Sequence, residues 1–364
     1  MKIIIPMAGL GSRFFNAGYM RPKPLIKLFD STIVEHSITS LNIPGDYIFV
    51  VRDFKNQEHN TQLHQVLRKI KPNCKILTTS KLTSGAAETC LLAEKYIDPK
   101  EELIITNCDQ YLEWDPTSFL NKSRNSDASL LTYSSKDPKN SFVLVDNSGK
   151  VVRIAEKEQI SETALVGVHY WKRGELFIST AKSLVSSTSG SKIESYISLT
   201  YNYALEQDKS VTTVPIEPGK FHPLGTPADL KKFKGIKNEF IKTKPKTIFC
   251  DLDGTILLHQ HSYSEVCTSE AQVLPGVIDK FDEWDSEGHK IILVTARKES
   301  ARSLTETALR RLGIPYDLLV MGVTSGTRVL INDVVDHSRP ARAKSVNVVT
   351  NSGFKDVEWE KDGL

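Results

Sequence analysis

The 364-residue chain is 40% hydrophobic and 25% charged, the composition of an ordinary soluble globular protein long enough for two domains, each burying its own core. A net charge of only +3 removes the bulk-charge argument for nucleic acid; no apolar run approaches a membrane span, and the opening Met1-Lys2-Ile3-Ile4-Ile5-Pro6 is too short for a signal peptide. The five cysteines (Cys74, Cys90, Cys108, Cys250, Cys267) are scattered and form no C-x-x-C pair, so neither a disulfide framework nor a zinc site is expected, and a reducing cytoplasm is the default compartment.

In chain order, the first expected strand is Ile3–Ile5, and it runs into Ala8-Gly9-Leu10-Gly11-Ser12-Arg13. A strand that breaks into Gly-x-Gly frees backbone N–H groups to point at phosphate, and glycine permits the dihedrals and the close approach that this needs. Arg13 and Lys23 add positive charge where a triphosphate would lie, and Pro22 and Pro24 stiffen the segment that presents Lys23. Taken alone, Gly-x-Gly also reads as a plain turn. It is not the dinucleotide fingerprint, because Phe14 stands where the third glycine belongs.

Further expected elements are a strand at Tyr47–Val51, a helix at Ala86–Tyr96 with an apolar stripe at Ala87, Leu91, Leu92 and Tyr96, and a strand at Leu103–Thr106. This alternation argues for an α/β fold with a mostly parallel sheet. Around Lys231–Lys246 the chain turns basic and weakly patterned; it reads as an anion- or membrane-facing patch or, more plainly, as a solvated helix end plus linker. The boundary falls near residue 240, giving domains 1–238 and 247–364 around a basic linker at 239–246.

A fresh α/β series follows: strand Thr247–Cys250, helix Pro275–Glu287, strand Lys290–Thr295, helix Glu299–Leu312, and strands Arg328–Ile331 and Ser345–Val349. Val277, Ile278, Phe281 and Trp284 share one face of the first helix. Directly after the strand at 247–250 stands Asp251-Leu252-Asp253-Gly254-Thr255, a pair of carboxylates two residues apart followed by a glycine turn.

The Gly-x-Gly-Ser-Arg run, with Arg-Pro-Lys-Pro-Leu-Ile ten residues on, resembles the sugar-phosphate nucleotidyltransferases through most of residues 1–235. That resemblance implies a Rossmann-like, GT-A-like mixed sheet. It casts Thr83–Thr89, with Gly85, as the segment along base and ribose, and Ala8, Gly9, Gly11 and Ser12 as the phosphate loop. It further makes Asp109, in Thr106-Asn107-Cys108-Asp109-Gln110, a Mg²⁺ ligand, and Glu156-Lys157 the pair that meets the sugar phosphate. Gly225-Thr226-Pro227 matches the family's late turn. The chain departs from many relatives at Pro223, where a second metal-binding Asp stands, so one metal site suffices or another group completes it; His222 beside it also reads as a structural histidine. Asp109 could alternatively cap a strand end, and Glu156-Lys157 could be a surface ion pair. The implied chemistry is attack by an acceptor phosphate oxygen on the α-phosphorus of an NTP (CTP, UTP, GTP or dTTP), with Arg13 and Lys23 stabilising the transition state and pyrophosphate leaving.

The Asp-x-Asp-Gly-Thr run resembles the haloacid-dehalogenase phosphatases over about residues 246–352, which implies a second Rossmannoid sheet. In that scheme Asp251 attacks phosphorus and Asp253 acts as general acid then base, Gly254 lets the chain turn, and Thr255 closes the loop. Thr295, in Val294-Thr295-Ala296-Arg297, is the phosphate-binding threonine. Asp251, Asp253 and Asp333 would hold Mg²⁺; Asn332 departs from the usual acidic pair, and Asp336 is a candidate to compensate. Lys298 and Arg328 are candidates for the cation on the phosphate, each equally readable as a surface charge. Ile256–Leu274 leaves room for only a minimal cap; His259 and His261 lie there, as substrate contacts or as exposed loop histidines.

Together the two resemblances imply a bifunctional, Mg²⁺-dependent enzyme. One half would join an NTP to a sugar or polyol phosphate, the other would hydrolyse a phosphomonoester, both toward a surface-polysaccharide precursor. A homo-oligomer is left open. The rivals are a GT-A glycosyltransferase, a chain with one catalytically silent domain, and a nucleic-acid end-processing phosphatase resting on the basic linker alone.

Overall fold

The computed structural model describes residues 1–19, 21–147, 149–190, 193–237, 245–260, 262–332 and 342–359. Contacts group the chain into two compact units. The first comprises Met1–Arg13, Pro22–Ile26 and Ser31–Gly235; the second comprises Phe14–Arg21, Lys27–Asp30 and Ile236–Leu364.

The first unit is organised by a nine-stranded sheet. Its strands are β1 (Lys2–Met7), β2 (Asp46–Arg52), β3 (Lys75–Thr79), β4 (Leu103–Thr106), β6 (Ala128–Ser134), β7 (Ser141–Val145), β8 (Val151–Glu156), β9 (Thr163–Trp171) and β10 (Val211–Pro215). The main path runs β8-β7-β9-β4-β1-β2-β3, with β6 on β9 and β10 on β6. Strands β4, β1, β2 and β3 are mutually parallel, whereas β9 is antiparallel to β4, so the sheet is mixed rather than mostly parallel. The central, parallel place of β1 follows from sequence: Ile3, Ile4 and Ile5 are fully buried, a continuous apolar run with both faces covered. A second, two-stranded ladder joins β5 (Gln110–Leu112) to β11 (Phe221–Pro223).

Helices cover both sides. In Ile33–Leu41, Thr32 accepts from the Glu35 N–H and the Glu35 carboxylate accepts from the Thr32 N–H, a capping box that fixes the helix start. The helix expected over Ala86–Tyr96 is a shorter α-helix, Ala86–Leu91, followed by a 3₁₀ turn at Glu94–Tyr96. The N–H groups of Leu92 and Ala93 bond three residues back, which tightens the chain there.

The second unit holds a three-stranded parallel sheet, β12 (Thr247–Asp251), β13 (Lys290–Val294) and β14 (Leu318–Val320), in that order. Val277, Phe281 and Trp284, on the helix Val277–Ser286, are buried in its core with Ile291, Leu293 and Phe354. The expected strands at Arg328–Ile331 and Ser345–Val349 are not formed, and β14 takes a place in the sheet that the sequence did not mark. Val329 and Ile331 are 75% and 91% exposed, so among the described residues this apolar run finds neither a ladder nor a core to pack on; a short apolar run alone names no pairing partner. Among the described residues of Ile256–Leu274 there is one short helix, Tyr263–Thr268. Asp333 and Asp336, His261 and most of the 239–246 linker lie outside the described residues.

Candidate active sites

In the first unit, β1 and β4 lie side by side and parallel, so the loops at their carboxyl ends open on the same edge, where ligands of such sheets bind. Beyond β1, Ala8 is buried while Gly9, Ser12 and Arg13 are exposed. Gly11 takes φ +64°, a conformation that favours glycine, and a Cβ there would stand 3.5 Å from the Lys23 Cβ. The turn therefore lies on the root of Lys23, and the Gly9 side of the loop is open. Lys23 starts a 3₁₀ turn, Lys23–Leu25, whose Pro24 and Leu25 are buried, so the residue is anchored from below.

The Lys23 ammonium is ion-paired with Asp109, which stands just past β4. Burial pulls the Lys23 pKa down, but the Asp109 carboxylate outweighs it, so the net shift is upward and the ammonium stays charged. Asp109 therefore faces a cation instead of capping a strand. Gly225 forms the floor beside this pair. A Cβ at Gly225 would be 3.1 Å from Asp109 Oδ2, 3.7 Å from Asp229 Oδ2 and 3.9 Å from Lys23 Nζ. Asp229 is fixed by Thr226, whose hydroxyl donates to its carboxylate at 2.7 Å. The Leu224 N–H donates to the Asp109 carbonyl at 2.8 Å, tying the late turn to the β4 loop. Pro223 is exposed and offers no side-chain ligand. His222 turns away to bond Glu113 at 2.9 Å and to pack on Tyr111 and Phe233.

Glu156 and Lys157 do not pair with each other. Glu156 ends β8 with its carboxylate accepting from Ser141 at 2.6 Å and from Ser198, and burial pushes its pKa up. Lys157, at φ +55°, donates instead to the Tyr196 hydroxyl at 2.6 Å. Gly85 is packed against the segment that carries Tyr196: a Cβ there would fall 2.6 Å from the Ser195 carbonyl oxygen, so only glycine fits.

In the second unit, β12 ends at Asp251 and β13 at Val294, paired in register, which sets the two following loops side by side. Asp251 Oδ2 accepts from Thr255 Oγ1 at 3.0 Å, and its Oδ1 from Arg328 at 2.7 Å. Asp253 accepts from Thr295 Oγ1 at 3.0 Å and from Arg297 at 2.6 Å. The Arg297 guanidinium is almost wholly buried and also reaches Gln260 and Thr305. Gly254 turns at φ +82°, and the His259 N–H donates to Asn351. Lys298 is exposed and stands outside this network.

Four residues here were not assigned roles from sequence: Asp229, Tyr196, Arg297 and Gln260. Only Arg297 carried a signal, its place two residues after Thr295 at a strand end. The other three are brought in by long-range packing.

Among the described residues, no group of three or more His, Cys, Asp or Glu side chains converges as a ready-made metal cage. The first site nevertheless fits a hard divalent ion. Two carboxylates border the small cradle over Gly225, an ammonium stands in for a cation on Asp109, and Mg²⁺ commonly takes one or two carboxylates plus substrate phosphate oxygens. Asp251 and Asp253 offer the same oxygen chemistry in the second unit.

No family model matches the chain. It is 25% identical over 173 residues to the bifunctional protein GlmU of Methanocaldococcus jannaschii; the match covers 47% of this chain and spans about 40% of that relative's length. Among solved structures, the nucleoside-diphosphate-sugar pyrophosphorylase of Vibrio cholerae RC9 matches at TM-score 0.57 and 26% identity, over 64% of this chain and 98% of that one. The inositol-1-phosphate CTP transferase of T. maritima matches at TM-score 0.52 and 18% identity, over 66% of this chain and 96% of that one. These likenesses show an α/β fold with a mixed sheet like that of the nucleotidyltransferases. No helix among the described residues is long and apolar enough to cross a membrane.

Proposed function

We propose that the first unit transfers a nucleotidyl group from an NTP to a sugar or polyol phosphate, and that the second hydrolyses a phosphomonoester. The observation that carries the first reading is the Lys23–Asp109 pair beside Gly225 and beneath the Gly11 turn. The likeness to GlmU and to the V. cholerae pyrophosphorylase supports it. Backbone N–H groups of residues 9–12 would receive the phosphates, Arg13 and Lys23 would neutralise them, and Lys157 would hold the acceptor. The acceptor phosphate oxygen bonds to the α-phosphorus as the bond from that phosphorus to the β-phosphate oxygen breaks, and pyrophosphate leaves. Mg²⁺, held by Asp109 with Asp229 across Gly225, would supply charge neutralisation for the triphosphate. Asp229 thus takes the place that Pro223 leaves without a carboxylate.

In the second unit, Asp251 Oδ would attack phosphorus to give an aspartyl phosphate while the ester oxygen departs with a proton from Asp253. Asp253 then takes a proton from the water that releases phosphate. Arg297 and Thr295 aim Asp253, and Arg328 lies where the substrate's phosphate charge would arrive. The two steps fit a route in which a bisphosphorylated sugar loses one phosphate and the remaining phosphate attacks an NTP, here toward a surface-polysaccharide precursor. The test is pyrophosphate release from CTP, UTP, GTP and dTTP with a panel of sugar 1-phosphates and polyol phosphates, using Asp251→Asn protein so that the acceptor is not consumed. Release with one base and one acceptor is expected; folded protein that releases none with Mg²⁺ present overturns the transferase reading.

A further inference from the structure

The segment Glu194–Ser198 belongs to neither motif of the first site, yet it touches both of that site's substrate-facing parts. On one side it is bound to the turn before the helix Ala86–Leu91. The Ser195 N–H donates to the Ser84 carbonyl at 3.0 Å, the Ala87 N–H donates to the Ser195 carbonyl at 2.9 Å, and the two serine hydroxyls lie 2.8 Å apart. Ser195 is fully buried, and the close approach of its backbone is what forbids a side chain at Gly85. On the other side, Ser198 donates to Glu156, and Tyr196 meets Lys157 through its hydroxyl and its ring, with the Lys157 ammonium 5.0 Å from the ring centroid. The Tyr196 hydroxyl in turn donates to Glu194.

We propose that Glu194–Ser198 is a strap that completes the acceptor side of the first site, and that Tyr196 is the residue reading the acceptor's hydroxyl groups; this rests on the transferase reading above. Three features carry it. The strap is rigid at Ser195, so Tyr196 does not need to be ordered by the ligand, which spares the binding entropy of fixing a long side chain. Glu194 and Lys157 are exposed and Tyr196 half-buried, so their polar ends are accessible while the backbone is not. Their chemistry is a row of cation, hydroxyl and carboxylate: Lys157 offers charge to a phosphate, while the Tyr196 hydroxyl and Glu194 carboxylate offer one donor-acceptor group and one acceptor. That row matches a phosphorylated polyhydroxy compound, with adjacent hydroxyls replacing the bonds that Tyr196 now makes to Lys157 and Glu194. A site built to bond hydroxyls discriminates strongly against ligands that lack them, because its polar groups are then left unmatched.

The experiment is calorimetric titration of the full-length protein with glucose 1-phosphate, mannose 1-phosphate, glycerol 3-phosphate and inorganic phosphate, each with CTP, UTP, GTP or dTTP present and Mg²⁺ withheld. Tyr196→Phe keeps the ring and removes only the hydroxyl, so it should fold as the wild type does, which circular dichroism checks. For any hydroxylated phosphate that the wild type binds, Kd should rise about ten-fold or more, while Kd for inorganic phosphate and for the NTP stays within about two-fold. Lys157→Ala should weaken all the phosphates, inorganic phosphate included. If Tyr196→Phe leaves every Kd unchanged while Lys157→Ala weakens binding, the proposal is overturned and the transferase reading stands. If the wild type binds the NTP and none of the phosphates, the acceptor face itself is misassigned and the proposal falls with it. Equal weakening of sugar phosphate and inorganic phosphate would make Tyr196 a support for Lys157 and overturn its role in reading hydroxyls.

Discussion

Asp109 in the first unit and Asp251 in the second both stand at the carboxyl end of a parallel strand, yet they are supported differently. Asp109 follows β4, whose neighbours β1 and β9 flank it within a nine-stranded sheet, and its partner is the ammonium of Lys23, a compact point charge from a distant loop. Asp251 ends β12, which pairs with β13, and its partners are a hydroxyl four residues on and a guanidinium from Arg328. Its companion Asp253 is clamped by a buried guanidinium that delivers several N–H donors in a plane. The difference fits the two tasks proposed for the units. A lysine can exchange a carboxylate for a phosphate without losing a matched fork of hydrogen bonds, which suits a site whose ligand carries several charges. An arginine fork fixes direction, which suits carboxylates that must act on one atom.

The contrast is broken most sharply by Asp251→Asn. With Asp251 as the proposed nucleophile, its removal should lower phosphomonoester hydrolysis by about 10³-fold or more and leave pyrophosphate release intact. A folded variant that still hydrolyses phosphate esters at wild-type rate would remove Asp251 from its role. Lys23→Ala comes next: with one preorganised charge lost, pyrophosphate release should fall about 10²- to 10³-fold while the melting temperature and the phosphatase rate change little. Near-normal release would show that the Lys23–Asp109 pair is structural.

A test of stability, with no effect on turnover at neutral pH, probes the first unit's sheet. His169, on β9, is 4% exposed, its Nδ1 has no hydrogen-bond partner, and burial pushes its pKa down to about 3. Its pKa is depressed relative to the unfolded value near 6.5, so the unfolded chain binds the proton first as pH falls. Stability from this neutral histidine is intact above about pH 6.5 and drops by up to about 1.4 kcal/mol per pH unit down to about pH 3. Urea midpoints measured across that window should fall more steeply for the wild type than for His169→Leu; parallel curves would show that the imidazole is reached by water.

Much of the scaffold was legible in the chain. The Ile3–Ile5, Tyr47–Val51 and Leu103–Thr106 runs are strands because residues apolar on both faces need a sheet interior, and each strand extends only a residue or two at either end beyond its run or matches it outright. The stripe Val277, Phe281, Trp284 is buried as its spacing demands. What failed was pairing. The 328–331 run has the composition of a strand and no ladder, while Leu318–Val320 has only three residues and joins β13. Composition measures the tendency to be buried, and a ladder depends on which edge is free.

The sites divide in the same way. Sequence by itself marked where the glycine turn and Asp251 follow apolar strands and set Lys23 on its proline-stiffened segment, while family resemblance singled out Asp109 and the Asp251–Asp253 pair as candidates. The strands themselves follow from a local rule, because a short apolar run bounded by turn-forming residues reads as a buried strand. Only the tertiary structure decided the partners of these side chains. It put Lys23 on Asp109, 86 residues away, and set Asp229 across Gly225 where Pro223 offers nothing. It laid the Glu194–Ser198 strap between Gly85 and Lys157, and it buried Arg297 against Asp253. Contacts between distant segments depend on how whole sheets and loops stack, and no local pattern in the chain carries that information.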